Sequence, residues 1–441
     1  MRYVGPAVVA IFTAVYAYRQ VAVFLLEPER LHNNDFKHVY LGAYLLRMGE
    51  NPYPAREFQR AAADMMAQDL RFRTILPYVY LPFTGQVLSP LTWFPFPRAV
   101  WIWFWINHLL LLLGGWLAAR AVGLPRRAEI LALVLFLLAW NHPAARTLTA
   151  GQLNAVLLFL FALVLWMTPR APDWSTGALA AFAALFKLTP AILFFWFLAE
   201  RRWKTAGWMA LFCAVFFAAS TAWSGLRIQL DFLPLLGDMG YGRSTWAEYG
   251  QQFYRDPYNQ SLNAFYHRTL AADPGGVVKP WWNWGWRTAN LFTIADTLAL
   301  MAATAYLVWP RRRRRRAASE VPVAQPVAAA LSLASVLRYG LLVTLSLLIP
   351  SILWDHYLVV LVVVHLALAR WFIERRVGWF AWMLFALAVI GSGAVVPLDA
   401  PAFRSGLGLL GMSLKLWTTL AVWIVTSVAL LGLNSEAKGE D

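Results

Sequence analysis

The run Leu31-His32-Asn33-Asn34-Asp35-Phe36-Lys37-His38, followed by Gly49-Glu50-Asn51-Pro52-Tyr53, comes directly after an apolar stretch from Met1 to Leu26. A carboxylate among imidazoles and carboxamides, just outside a membrane helix, can take a proton from a hydroxyl of a lipid-borne substrate. Asp35 is therefore the expected general base. The same residue type also suits the N-cap of a helix beginning near Phe36. Other polar residues stand within or at the mouth of apolar stretches, where they are costly. Gly151-Gln152-Leu153-Asn154 opens one stretch, Lys187 interrupts another, and Asp355-His356-Tyr357 begins a third. Gln152 and Asn154 also fit helix capping, Lys187 a backbone break, and His356 an interfacial imidazole. Taken together, Lys187, His356, Arg268, Gln260 and Asn259 predict a set of donors converging beside Asp35, an anion site next to a base.

These residues must be held by membrane helices. The 441 residues are 60% hydrophobic and only 14% charged, and the mean hydropathy is +0.53. Such a chain is too apolar for a soluble domain and reads as a single all-α polytopic membrane domain over 1–441. The apolar segments fall at roughly 4–26, 99–122, 129–142, 153–168, 176–199, 205–223, 288–309, 330–350, 356–373, 378–396 and 407–432. The first has no basic leader and no small-residue cleavage site before Glu27, so it is read as a retained helix. One cysteine, Cys213, excludes a disulfide framework within the chain and a cysteine-rich metal site. The net charge of +15 is concentrated in short runs between spans: Arg120 with Arg126 and Arg127, Arg201-Arg202-Trp203-Lys204, Arg311 to Arg316, and Arg375-Arg376. That pattern marks cytoplasmic loops rather than a nucleic-acid face.

Simple alternation of sides fails in the middle of the chain, because a single crossing at 176–199 would put Arg201, Arg202 and Lys204 outside. A break at Lys187-Leu188-Thr189-Pro190 resolves this: proline removes a backbone donor and disfavours helix before it, so two half-length helices can dip in and return. The reading then has roughly 11–13 membrane helices, both termini inside, and a basic cytoplasmic linker at 311–329. It also places two large extracytoplasmic loops at 27–98 and 224–287. The first loop holds an amphipathic stretch, Arg56 to Arg71, expected on the membrane surface with a plain solvated helix as its alternative, and aromatic residues from Pro77 to Phe83 that would line an interfacial groove. The Trp281 to Trp286 cluster fits an interfacial belt, with sugar stacking or prenyl-chain contact as its alternative.

Several motifs carry a family resemblance: Asp35-Phe36 with Tyr40 and Gly49-x-Asn51-Pro52-Tyr53; Tyr80-x-Pro82 and Pro90-Leu91; Gly151-Gln152-x-Asn154; Lys187-x-x-Pro190 with Arg201-Arg202-Trp203; Asn259-Gln260-Ser261-Leu262; and His356-Tyr357. In this order the chain resembles the polyprenol-phosphate-mannose-dependent α-mannosyltransferases of glycosyltransferase family 87, with the GT-C membrane fold. The resemblance implies an inverting hexosyl transfer, most simply of mannose, from a polyprenyl-phosphate sugar to a glycolipid or glycan acceptor. It implies a catalytic base at Asp35 and a site histidine at His356; the placement of the basic runs puts the site on the extracytoplasmic side, and the arginine- and alanine-rich composition suits an inner membrane.

The residues suit that chemistry on their own. Asp35 would take the acceptor's proton as its oxygen attacks C1, and Lys187, Arg268 and His356 are the cations available where charge builds on the leaving phosphate. Gln260 and Asn259 would add donors there, while Tyr53, Tyr80, Gln152, Asn154 and Asn34 would bind substrate. No cofactor or metal is expected, since Glu57, Asp64, Asp238, Glu248 and Asp256 are scattered and no Asp-x-Asp pair adjoins Asp35. Two other readings stay open, a secondary transporter built on the broken helix and a non-catalytic envelope assembly protein.

Overall fold

A backbone amide or carbonyl left unpaired in hydrocarbon costs several kcal/mol, so apolar segments must close their hydrogen bonds locally. Each of them is helical. The structure, a computed structural model, describes the chain apart from residues 1–3, 28–30, 32–33, 67–74, 246, 248–251, 274, 310–330, 376 and 440–441. Helix α1 (Val4–Tyr16) continues through a π-helical turn, Ala17–Ala22, into Val23–Leu26. The first polar loop holds α2 (Phe36–Arg47), α3 (Ala55–Met66) and α4 (Pro82–Leu88). Then follow α5 (Phe96–Ala121), α6 (Ala128–Trp140), α7 (His142–Thr149), α8 (Asn154–Met167), α9 (Asp173–Phe186), α10 (Leu193–Ala199) and α11 (Trp203–Ser224). The second polar loop carries α12 (Leu226–Asp231), α13 (Leu233–Asp238) and α14 (Leu262–Leu270). The remainder is α15 (Trp286–Val308), α16 (Leu333–Leu348), α17 (Leu361–Glu374), α18 (Trp379–Gly393), α19 (Gly408–Met412) and α20 (Leu414–Gly439).

Among the described residues six helices are long and apolar enough to cross a bilayer, or seven if the bent pair α6–α7 counts as one span, and four more apolar helices are shorter. The expected 11–13 membrane helices resolve into these two groups. The 60° bend between α6 and α7 falls at Asn141, whose side chain accepts from the Ala144 amide while Pro143 occupies the first turn of α7. The linker at 311–329 lies outside the described residues.

Contacts sort the helix ends into two levels. At one, Gly5 abuts Ala128 and Glu129, Arg120 neighbours Arg126 and Arg170, Glu200 accepts from Arg338 at 3.0 Å, and Arg370 reaches the carbonyls of Val122 and Leu331. At the other, the Asp35 amide donates to Ala150, Lys187 to Asn154, and Lys415 to carbonyls at the end of α18. The described basic runs thus share one end of the bundle and the polar motifs the other.

The break near 176–199 forms the hairpin that the charge pattern demands. Asp173, opening α9, accepts from Arg202 at 3.2 Å and from the Thr205 hydroxyl at the start of α11. The chain therefore leaves and returns at the basic end. At the tip Lys187 is extended (φ −157°, ψ 138°) and a short 3-10 turn, Thr189–Ile192, leads into α10. Helices α9 and α11 pack closely because Gly177 has no side chain, as a Cβ there would stand 2.6–2.9 Å from Trp208, Met209 and Thr205. Helix α3 differs from expectation. Its apolar face, Phe58, Ala61, Ala62 and Met65, is buried, and α3 packs on α2, so protein rather than lipid covers it; residues 67–71 of the expected stretch lie outside the described ones.

Candidate active site

Asp35 stands at the N-cap position of α2 but caps nothing. The neighbouring Asn34 does that work, its Oδ1 accepting from the Phe36 amide at 3.1 Å, which leaves the Asp35 carboxylate to accept from Gln152 Nε2 at 2.9 Å. The juxtaposition of the two loops depends on Gly151. Its φ of +63° is strained for any side chain, and a Cβ would meet Asn34 Nδ2 at 2.7 Å and Phe36 Cβ at 2.8 Å. Trp103 locks the turn by donating to the Gly151 carbonyl at 2.8 Å while stacking on Phe36. Gln152 also accepts from the Tyr80 hydroxyl at 3.3 Å. Burial, helped by the nearby Tyr357 and Asp35, raises the Tyr80 phenol well above its ordinary value, so Tyr80 keeps its proton and fixes which end of the carboxamide faces Asp35. Tyr53 stands behind it, donating to the Tyr80 carbonyl at 2.7 Å.

Tyr80 and Lys187 share a cavity of about 570 Å³ whose other walls are mostly apolar, including Phe195, Phe232, Leu353 and Tyr357. The Lys187 ammonium donates to Asn154 Oδ1 at 3.0 Å and sits 3.8 Å from the centre of the Tyr357 ring, a cation–π contact. Among the described residues no carboxylate pairs with it. A cation without a counter-ion in apolar surroundings is unfavourable until an anion arrives.

His356 is buried and edge-on to Tyr357, 4.9 Å between ring centres, within electrostatic reach of Lys187 and Asp35. Neither ring nitrogen has a hydrogen-bond partner among the described residues. Asp355 lies 3.6 Å from His356 Nδ1 and 3.2 Å from His142 Nε2, with Arg146 at 4.0 Å. Sequence reasoning singled out His356 but assigned no role to Tyr357 or to this Asp355 cluster. Tyr357 was signalled by adjacency alone, and His142 carried no signal because α7 meets the 355–360 turn only through the tertiary fold.

The expected donors on the second loop do not reach the cavity. Asn259 gives its amide to the carbonyls of Phe253 and Ser351 and accepts from the Leu353 amide. Gln260 bonds the carbonyls of Pro257 and Met412 and the Lys415 amide. The Arg268 guanidinium, 1% exposed, donates to the carbonyls of Asp256 and Asn259 and to the Ser413 hydroxyl; burial lowers it to about 10, still charged near neutrality. Asn259 knits the second loop to the turn before Asp355, where it forms an isolated bridge with Trp354, while Gln260 and Arg268 tie the loop to the segment from Met412 to Lys415. Asn34 and Tyr53 likewise brace the first loop rather than line the cavity. Arg268→Met is expected to destabilise the fold by about 3 kcal/mol, from lost hydrogen bonds to a charged group, with the donor KM of the folded fraction unchanged; thermal unfolding in detergent and initial rates separate the two.

Among the described residues no group of three His, Cys, Asp or Glu side chains is placed to hold a metal ion.

Comparison with known proteins gives a consistent picture. The sequence model of glycosyltransferase family 87 matches residues 78–337. A polyprenol-phosphate-mannose-dependent alpha-(1-2)-phosphatidylinositol pentamannoside mannosyltransferase of Mycolicibacterium smegmatis is 35% identical over 167 residues, 37% of this chain and 39% of that protein. A polyprenol-phosphate-mannose-dependent alpha-(1-2)-phosphatidylinositol mannoside mannosyltransferase of Mycobacterium tuberculosis is 28% identical over 144 residues, 30% and 33% of the two chains. An alpha-(1->3)-arabinofuranosyltransferase of Corynebacterium glutamicum is 27% identical over 127 residues, 29% and 30%. The matched stretches thus span well under half of each relative's own length. No solved structure matches.

Proposed function

The chain is a multi-pass membrane protein that belongs to glycosyltransferase family 87, and on that premise we propose that it transfers mannose from a polyprenyl-phosphate donor to a hydroxyl of a glycolipid or glycan acceptor. The observation that carries the reading is Lys187: a cation with no carboxylate partner among the described residues on the wall of an apolar cavity, which it shares with Tyr80, itself hydrogen-bonded through Gln152 to a carboxylate that caps nothing. The cavity suits an isoprenoid chain and Lys187 its phosphate.

In this reading Asp35 takes the acceptor's hydroxyl proton as the oxygen bonds to C1. The bond from C1 to the phosphate oxygen breaks, and the electron pair leaves with polyprenyl phosphate, whose charge Lys187 and an N–H of His356 would stabilise. A single displacement converts a β-linked mannosyl phosphate into an α-mannoside, the anomer in the names of two relatives. The polar end of the bundle faces away from the basic clusters, which supports a site on the extracytoplasmic side of the inner membrane. Phosphatidylinositol mannosides are the first acceptors to test, because the names of those relatives specify them.

The test supplies purified protein in lipid with radiolabelled polyprenyl-phosphate mannose, polyprenyl-phosphate arabinose, or a nucleotide mannose, and a panel of glycolipids. Transfer from polyprenyl-phosphate mannose alone is expected. Transfer from the arabinose donor instead would reassign the sugar, in line with the arabinofuranosyltransferase relative, and transfer only from the nucleotide sugar would sink the lipid-donor reading. A monophosphate leaving group asks less of a divalent cation than a pyrophosphate does, so EDTA is expected to change the rate by less than about twofold; restoration of a lost rate by Mg²⁺ or Mn²⁺ would contradict this.

A further inference from the structure

Helices α12 and α13 expose Leu226, Leu230, Leu233 and Leu236, at 57%, 51%, 55% and 39%. The spacing of four, three and three residues puts them on one helical face. The opposite face is buried through Ile228 and Phe232, and Gln229 folds the segment back on Ser220 and Ser224 at the end of α11. The leucine stripe continues the apolar surface of α11, whose Val215, Phe217 and Trp223 are also exposed on a helix long and apolar enough to cross a bilayer. The segment supplies Phe232, from its buried side, and Leu236, at the edge of the stripe, to the cavity that holds Lys187, while Leu188 and Phe195, exposed at 47% and 55%, line the same cavity from the hairpin. Asp231 anchors the segment to the first loop through Asn51 at 2.6 Å.

We propose that Leu226–Asp238 lies embedded in the bilayer leaflet at the polar end of the bundle, its leucines among acyl chains. There it forms one side of a lateral portal, with Leu188 and Phe195 as the other, through which the prenyl chain of the donor enters the cavity. Four adjacent exposed leucines are unfavourable in water and favourable in lipid. A cavity of about 570 Å³ falls within the range for one small ligand, about 300–1,000 Å³. It takes the phosphate-proximal part of a long chain and leaves the remainder in the leaflet. The portal rests on the lipid-donor reading; the embedding does not.

The embedding is tested with a nitrobenzoxadiazole probe on Leu233→Cys in a Cys213→Ala background, in proteoliposomes. Quenching by nitroxide-labelled lipids with little quenching by iodide is expected. Quenching by iodide alone would overturn the proposal. The portal is tested with the triple variant Leu226→Ser, Leu230→Ser, Leu233→Ser. It is expected to raise KM for a long-chain polyprenyl donor about fivefold, by loss of buried apolar area, with kcat unchanged and with an unchanged KM for a geranyl-chain analogue in micelles. An equal change for both donors would place the effect in the cavity itself and overturn the portal. If the wild type uses no lipid donor, the functional reading and the portal fall together, and the quenching still decides the embedding.

Discussion

Asp35→Asn is expected to lower the rate of transfer by about 10² to 10⁴, the usual contribution of a positioned general base, with no loss of thermal stability. The substitution is nearly isosteric, and an asparagine oxygen can still accept from Gln152 as the carboxylate does. It removes only the negative charge and the ability to hold a proton. Were Asp35 a helix cap, Asn would serve equally well. Asp35→Ala should match the activity loss of Asn. Initial rates for the wild type and both variants, with unfolding midpoints alongside, decide the matter; transfer by Asp35→Asn above about a tenth of wild type would remove the residue from the chemistry.

Lys187→Met gives the second large effect, and its sign on stability is the informative part. Removing the cation from the leaving phosphate is expected to slow transfer by about 10² to 10³. If Lys187 were a structural strut of the broken helix, losing its bond to Asn154 would destabilise the protein. Its ammonium instead meets one carboxamide oxygen and a ring face without a counter-ion, so a methionine should stabilise the unliganded protein, on the order of 1 kcal/mol. Polyprenyl phosphate should raise the unfolding midpoint of the wild type and leave that of Lys187→Met unmoved, since only a ligand that binds the folded state shifts its stability. A variant that melts lower and still responds to the lipid phosphate would return Lys187 to a scaffolding role.

Both residues stand out in the sequence because polar groups in or beside apolar segments are expensive, so their presence narrows the explanations. The basic runs made the hairpin around Lys187 legible before any coordinates, and Asp173 closing on Arg202 and Thr205 is its physical counterpart. Asn259, Gln260 and Arg268, singled out by the same logic, lie away from the cavity that holds Lys187. Carboxamides and guanidinium groups in an aqueous loop suit a ligand and backbone carbonyls equally, and here the carbonyls take them. Helix α3 shows a parallel limit, since periodicity reveals an apolar face and not what covers it. The Asp355 cluster was out of reach for another reason: no local pattern announces that His142 and Asp355 meet.

The Asn259–Trp354 bridge and the Thr147 hydroxyl on the His356 carbonyl have a consequence for biogenesis. Asp35 emerges from the ribosome first, then Gln152, then Lys187, and His356 with Tyr357 about 170 residues after Lys187. Until then the first loop has its carboxylate but lacks the ring that faces Lys187 and the turn that the second loop clamps. A nascent chain stalled before that point would be a membrane-inserted protein with an incomplete cavity wall, so the cavity closes only once the 355–360 turn has been made.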